Sequence, residues 1–119
     1  MTPNRIGYHV LRIGLAILFL WFGFSQLLDS LSWVSWVPDW AVNLLSIPPA
    51  MIVMLNGVVE VLGGTILAMG LFVLPVVIIL GLHLLVIVVE IGATAIGVRD
   101  FGLMMATFAL GLLGKGEEK

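Results

Sequence analysis

The stretch AMIVMLNGVVEVLGGTILAMGLF, residues 50–72, decides the fold. It carries a single charge, Glu60, in a run long enough to cross the roughly 30 Å apolar core of a bilayer, for which a helix needs about 20 residues. Pro48-Pro49 precedes and opens it, a residue type suited to a helix start because those N–H groups have no partner there. At helical spacing Asn56, Glu60, Gly63, Leu67 and Gly70 share one face. A small, polar face on an otherwise apolar helix is a face turned toward other helices, since small residues let backbones approach closely.

Three further runs have the same character. Residues 9–28 form the first, with Arg12 near its start and Asp29 just beyond its end. Its apolar run is too long for a signal peptide and no small-residue cleavage site follows, so it reads as a retained span. Pro75 separates the second span from a third over residues 76–97, and a fourth runs over residues 100–114 before the polar tail. At 15 residues the fourth rises only about 22 Å, which implies local thinning of the bilayer or shelter by neighbouring helices. No span alternates polar and apolar residues, and an open sheet in lipid would strand its backbone groups, so β structure is excluded. The expectation is an all-α integral membrane protein, a single domain over residues 1–119 built as an antiparallel four-helix transmembrane bundle.

An even number of spans puts both termini on one side. Arg5, Arg12, Lys115 and Lys119 lie there and Arg99 lies opposite, so the excess of basic residues places both termini in the cytoplasm of a multi-pass cell-membrane protein. Residues 29–49 connect the first two spans without crossing. Trp33, Trp36 and Trp40 fall on one face there, interrupted by Pro38, and tryptophan favours headgroup depth. Asp39 is placed to cap a short helix through Leu45. The segment reads either as an interfacial belt or as a lid over a lipid-soluble ligand.

Composition narrows the chemistry. Of 119 residues 61% are hydrophobic and 10% charged, with a mean hydropathy of +1.24; a water-soluble domain has about 25% charged residues. With a net charge of −2 and no basic stripe, there is no electrostatic footprint for nucleic acid. Cysteine is absent, which excludes thiolate zinc sites, iron–sulfur clusters, CxxC pairs and c-type haem. His9 at the membrane edge and His83 near mid-membrane cannot flank one haem iron. His83 and Glu90 are two turns, about 10 Å, apart, and adding Glu60 still leaves too few ligands for a metal unless a dimer supplies more. No motif for a flavin is present.

What remains is a set of polar residues in apolar helices, where a charge costs several kcal/mol and is a site hypothesis by default. His83, Glu90, Thr94 and Gly97 share a face of the third span; Arg12, Ala16, Phe19, Gly23 and Gln26 form a stripe on the first; Asp100, Met104, Thr107, Gly111 and Gly114 form one on the fourth. Counted from the outer ends at about 1.5 Å per residue, Glu90 lies roughly 10 Å deep, Glu60 roughly 15 Å and His83 roughly 21 Å. Two carboxylates in a low dielectric cannot both stay ionised without a cation, so Glu60 and Glu90 are expected to share a proton and to handle protons for a ligand. Gln26, Asn56 and His83 would hydrogen-bond that ligand, with Arg99 at the outer mouth and Arg12 at the far side. The alternative is that Glu60 bonds across the bundle in its neutral form and only fixes packing.

These residues resemble the DoxX family of small four-helix membrane proteins. The likeness rests on Arg12-Ile13-Gly14 leading into Phe22-Gly23-Phe24-Ser25-Gln26, on Val37-Pro38-Asp39-Trp40, on Glu60-Val61-Leu62-Gly63-Gly64 with Leu67 and Gly70, and on Arg99-Asp100. Family members often carry a lysine where this chain has Gln26. If that lysine pairs with the glutamate, Glu60 here lacks a cation and Arg12 or Arg99 must compensate. The resemblance implies a small subunit of a quinone-linked oxidoreductase system, with a quinone as the lipid-soluble ligand. Lacking an electron carrier of its own, the chain would need a redox partner protein or a diffusible donor. Two rivals stand beside this: a non-catalytic membrane scaffold or assembly factor, acting alone or as a homo-oligomer, and a small transporter or proton pathway.

Overall fold

The computed structural model describes residues 3–91 and 94–117. Among them the chain is all-helical: α1 (Pro3–Leu28), a 3-10 helix (Ser30–Trp36), α2 (Asp39–Leu45), α3 (Pro49–Met69), α4 (Val73–Ile91) and α5 (Ala95–Glu117). Among the described residues three helices are long and apolar enough to cross a membrane, Pro3–Leu28, Pro49–Met69 and Gly97–Gly114 within α5; the apolar stretch of α4, Val73–Val86, is shorter.

The boundaries differ from the sequence expectation at two places, each for a local reason. Helix α3 stops at Gly70, in the left-handed region at φ 75°. There the N–H of Gly70 bonds Leu67 O and the N–H of Leu71 reaches back to Ile66 O, a closure that satisfies carbonyls left over at a helix end. Pro75 is therefore not the separator; it lies in the first turn of α4, where it removes no helical bond. At the other end the expected span over residues 76–97 is cut short. Thr94 Oγ accepts the N–H of Gly97 at 3.0 Å and Thr94 O accepts that of Val98 at 2.9 Å, so Thr94 caps a new helix. Residues 95–97 thus pass from the third span to the fourth. The fourth helix is not short: its 23 residues rise about 34 Å.

Asp39 is the first residue of α2 and makes no capping bond; Pro38 holds the cap position, and Ser46 in the left-handed region ends the helix. A carboxylate in the first turn still suits the helix dipole.

Helix α1 packs chiefly on α3 and α4 on α5, with α1–α5 and α3–α4 contacts joining the pairs. Glycine makes each contact close. Gly23 faces the backbone of Gly57 and Val61, Gly64 faces Ala16 and Leu20, Gly63 lies under Leu80, Gly81 under Phe108, and Gly114 under Tyr8 and Val73. Leu67, Val73, Val77, Leu80, Thr107 and Leu110 are fully buried between the helices. Large apolar residues such as Val10, Ile17, Trp21, Leu62, Ile79, Val89 and Leu112 face outward, far more apolar surface than a water-soluble monomer exposes.

A Cβ at Gly23 would stand 2.9 Å from both Gly57 O and Val61 N, and backbone atoms cannot swing aside. Gly23→Ala should therefore part α1 from α3 and cost about 1–3 kcal/mol. Gly14→Ala meets nothing within 4 Å and should stabilise by up to about 1 kcal/mol through helix propensity. Thermal melts in one detergent check this; equal melting temperatures for the two variants would contradict the close contact.

Candidate functional site

Toward the end of the helices where the 3-10 helix and α2 lie, the chain lines a half-open cavity of about 420 Å³. Its walls are apolar and aromatic: Leu15, Phe19 and Phe22 from α1, Val53 from α3, Leu84 from α4, Leu103 from α5, and Trp33, Trp36 and Trp40 from the connection. Trp33 is tied to α1 by a hydrogen bond from Nε1 to Ser25 Oγ at 3.1 Å and an edge contact with Phe22. Val37, Pro38 and Ala41 of the same connection also line the cavity.

Four polar side chains meet in the wall of this cavity. His83 Nε2 is 3.2 Å from Glu60 Oε1. Asn56 Nδ2 donates to Glu60 Oε1 at 3.3 Å and to Gln26 Oε1 at 2.8 Å, and Gln26 Nε2 donates to Glu60 Oε2 at 3.4 Å. Glu60 and Gln26 are each 4% exposed. Helical spacing brings Asn56 and Glu60 together as neighbours one turn apart. The close Gly23–Gly57 contact draws α1 in so that Gln26 reaches both. Three N–H donors thus converge on one buried carboxylate, which is how a carboxylate is accommodated away from water. His83 Nε2 donates to Glu60 Oε1, so the carboxylate and the imidazole form one hydrogen-bonded couple.

The arrangement revises the depth ladder. Because α4 ends at Ile91 and not at Gly97, His83 is about 12 Å from the end of its helix, and Glu60 about 16 Å from the start of α3. They lie level and pair. Glu90 is seven residues, about 10 Å, further along α4, and its side chain falls outside the described residues. Arg99 lines the cavity; its guanidinium sits 5.2 Å from the Phe22 ring and donates through Nε and Nη2 to Asp100 Oδ1 at 3.2 and 3.1 Å. Arg12 is elsewhere: Nη1 donates to Leu67 O and Ala68 O, both at 2.7 Å, and Nη2 is 3.3 Å from His9 Nδ1. Neither arginine bonds Glu60; the imidazole of His83 does.

Among the charged residues of the cavity, Asp100 is the one that the sequence does not single out as a site residue. Asp100 is 6% exposed and lines the cavity beside Arg99. Its membership of the small polar stripe of the fourth span was the available signal. Among the described residues, no three His, Asp or Glu side chains gather as a metal ion requires.

The DoxX family model matches residues 7–93, from α1 through α4; Arg99 and Asp100 lie beyond it. No curated protein and no solved structure matches the chain.

Proposed function

The chain belongs to the DoxX family, and from that premise we propose that it is the small membrane subunit of a quinone-linked redox system, binding the quinone head group in the cavity beneath the tryptophans. In this reading all four long helices cross the bilayer as an antiparallel bundle with both termini cytoplasmic, and the tryptophan segment rests at the outer surface. The observation that carries the reading is an aromatic and aliphatic cavity with one hydrogen-bonded acid–imidazole couple in its wall. Apolar walls with a few convergent polar groups suit a lipid-soluble ring. Glu60 and His83 hold and release the proton that such a ring exchanges when its oxidation state changes. The electrons pass to or from a partner protein.

The test uses purified protein in lipid nanodiscs, titrated with a short-chain benzoquinone while tryptophan emission is followed. Trp33, Trp36 and Trp40 line the cavity, so saturable quenching at one equivalent is the expected result. Quenching that merely tracks partition of the quinone into lipid, equal for the protein and for free tryptophan in the same bilayer, would remove the ligand. Partner proteins that co-purify with such a preparation would then favour a scaffold.

A further inference from the structure

Hydrogen-bond capacity facing the cavity is lopsided. Each amide nitrogen has two protons, and a neutral imidazole has one. Both protons of Asn56 Nδ2 are committed, to Gln26 and Glu60, as is the Nε2 proton of His83. One N–H of Gln26 remains. Against it stand two acceptors with no partner among the described residues, Asn56 Oδ1 and Asp100 Oδ2. Asp100 is the stronger. Both Arg99 donors fall on its Oδ1, which leaves Oδ2 of a nearly buried carboxylate on the cavity wall. Arg99 itself is 48% exposed on its side chain.

Asp100 also stands apart from the Glu60–His83 couple. Gly81 meets Phe108 and Val77 meets Gly111 across the α4–α5 contact, which puts Asp100 about 8 Å beyond the level of His83 along the helix axis. A ring held between them is approached from two ends.

We propose that Asp100, fixed by Arg99, selects a head group bearing hydroxyls over the same head group bearing carbonyls, so that the cavity prefers the reduced form of its quinone. This rests on the reading of the cavity as a quinone site and adds which redox state it favours. A hydroxyl gives the free carboxylate oxygen a short, charge-assisted bond. A carbonyl oxygen opposes it acceptor to acceptor and leaves it desolvated and unpaired, which is the costly outcome for a buried polar group. Sites that bond a substrate hydroxyl discriminate strongly against analogues lacking it. The expected preference is at least about tenfold in Kd, equivalent for a two-electron couple to a potential about 30 mV higher when bound than when free.

The experiment measures binding of one short-chain benzoquinone and of its hydroquinone, anaerobically, to the protein and to its Asp100→Asn variant in nanodiscs. The hydroquinone should bind the unaltered protein at least about tenfold more tightly. In the variant the ratio should move toward one, because the asparagine amide can turn a donor toward a carbonyl. Equal affinity of the unaltered protein for both forms, or a preference for the quinone, overturns the proposal and leaves the cavity as a quinone site. An unchanged ratio in a folded Asp100→Asn variant overturns the role of Asp100. Saturable binding of neither form overturns the quinone reading, and the selectivity with it.

Discussion

Arg12→Met is expected to lower the stability of the protein by about 3–5 kcal/mol, because hydrogen bonds to a charged group are worth about 1.5–3 kcal/mol each and this guanidinium makes two to the end of α3. The last carbonyls of a helix have no partner within it, and the negative end of the helix dipole lies there. Arg12 Nη1 reaches Leu67 O and Ala68 O from across the α1–α3 contact, at 2.7 Å each. Gly70 allows it: a Cβ there would stand 3.4 Å from Nη1, on a backbone already at φ 75°. Methionine keeps an unbranched stem of similar reach, so the loss reports on the charged head and not on packing. Arg12 Nε is buried without a partner, and its removal returns part of the cost. Denaturant unfolding in a single detergent measures the difference. A loss below about 1 kcal/mol would mean that solvent satisfies those carbonyls equally well. Quinone affinity should change less than about twofold by the additivity of distant sites, since Arg12 is absent from the cavity wall; a large fall would return Arg12 to the ligand site.

Arg12 also marks where the sequence is legible and where it stops. That a basic residue in an apolar span faces inward follows from the cost of a charge in lipid. That its partners are two main-chain carbonyls does not, because every residue has a carbonyl and no pattern marks those left over. The spans themselves are plain, since apolar runs of bilayer length have few other readings. The break between α4 and α5 is not. Thr94 reads equally as a polar residue on the inner face of one helix and as the cap of the next, and only the bond from Gly97 N–H decides between them. That choice shifted the end of the third helix by six residues and His83 by about 9 Å. Gln26, Asn56, Glu60 and His83 were legible as a group because each breaks an apolar face. Which carboxylate or imidazole meets Glu60 depends on the register of α3 against α4, which no sequence pattern marks. Asp100 was visible on its stripe, but a charge near the mouth of a span looks like a helix start until its burial is known.

Glu60→Gln is expected to leave the fold nearly untouched while slowing ligand-coupled proton transfer by about 100-fold or more, the usual contribution of a positioned acid–base group. The stability half of this follows from donor counting. A glutamine at position 60 can still accept from His83 Nε2 and Asn56 Nδ2 through its oxygen, but its own NH2 then faces the Gln26 nitrogen, where a carboxylate oxygen now accepts. Turning Gln26 over repairs that contact and breaks the one from Asn56 to Gln26 Oε1. One hydrogen bond is lost either way, about 1 kcal/mol. Glu60→Leu strands all three donors and should cost about 3 kcal/mol or more on the same scale. Proton transfer separates the functional role from packing. In nanodiscs loaded with a short-chain benzoquinone, a chemical reductant added in a stopped-flow mixer draws protons onto the ring, and a pH-indicating dye times their uptake. An amide holds no exchangeable acid proton near neutral pH, so Glu60→Gln removes the acid–base group that the proposed proton exchange requires. Uptake as fast as in the unaltered protein, at an unchanged melting temperature, would reduce the Glu60–His83 couple to a device that holds α3 against α4. Slow uptake at that same melting temperature would assign Glu60 to the chemistry, because the two outcomes differ in nothing but the proton.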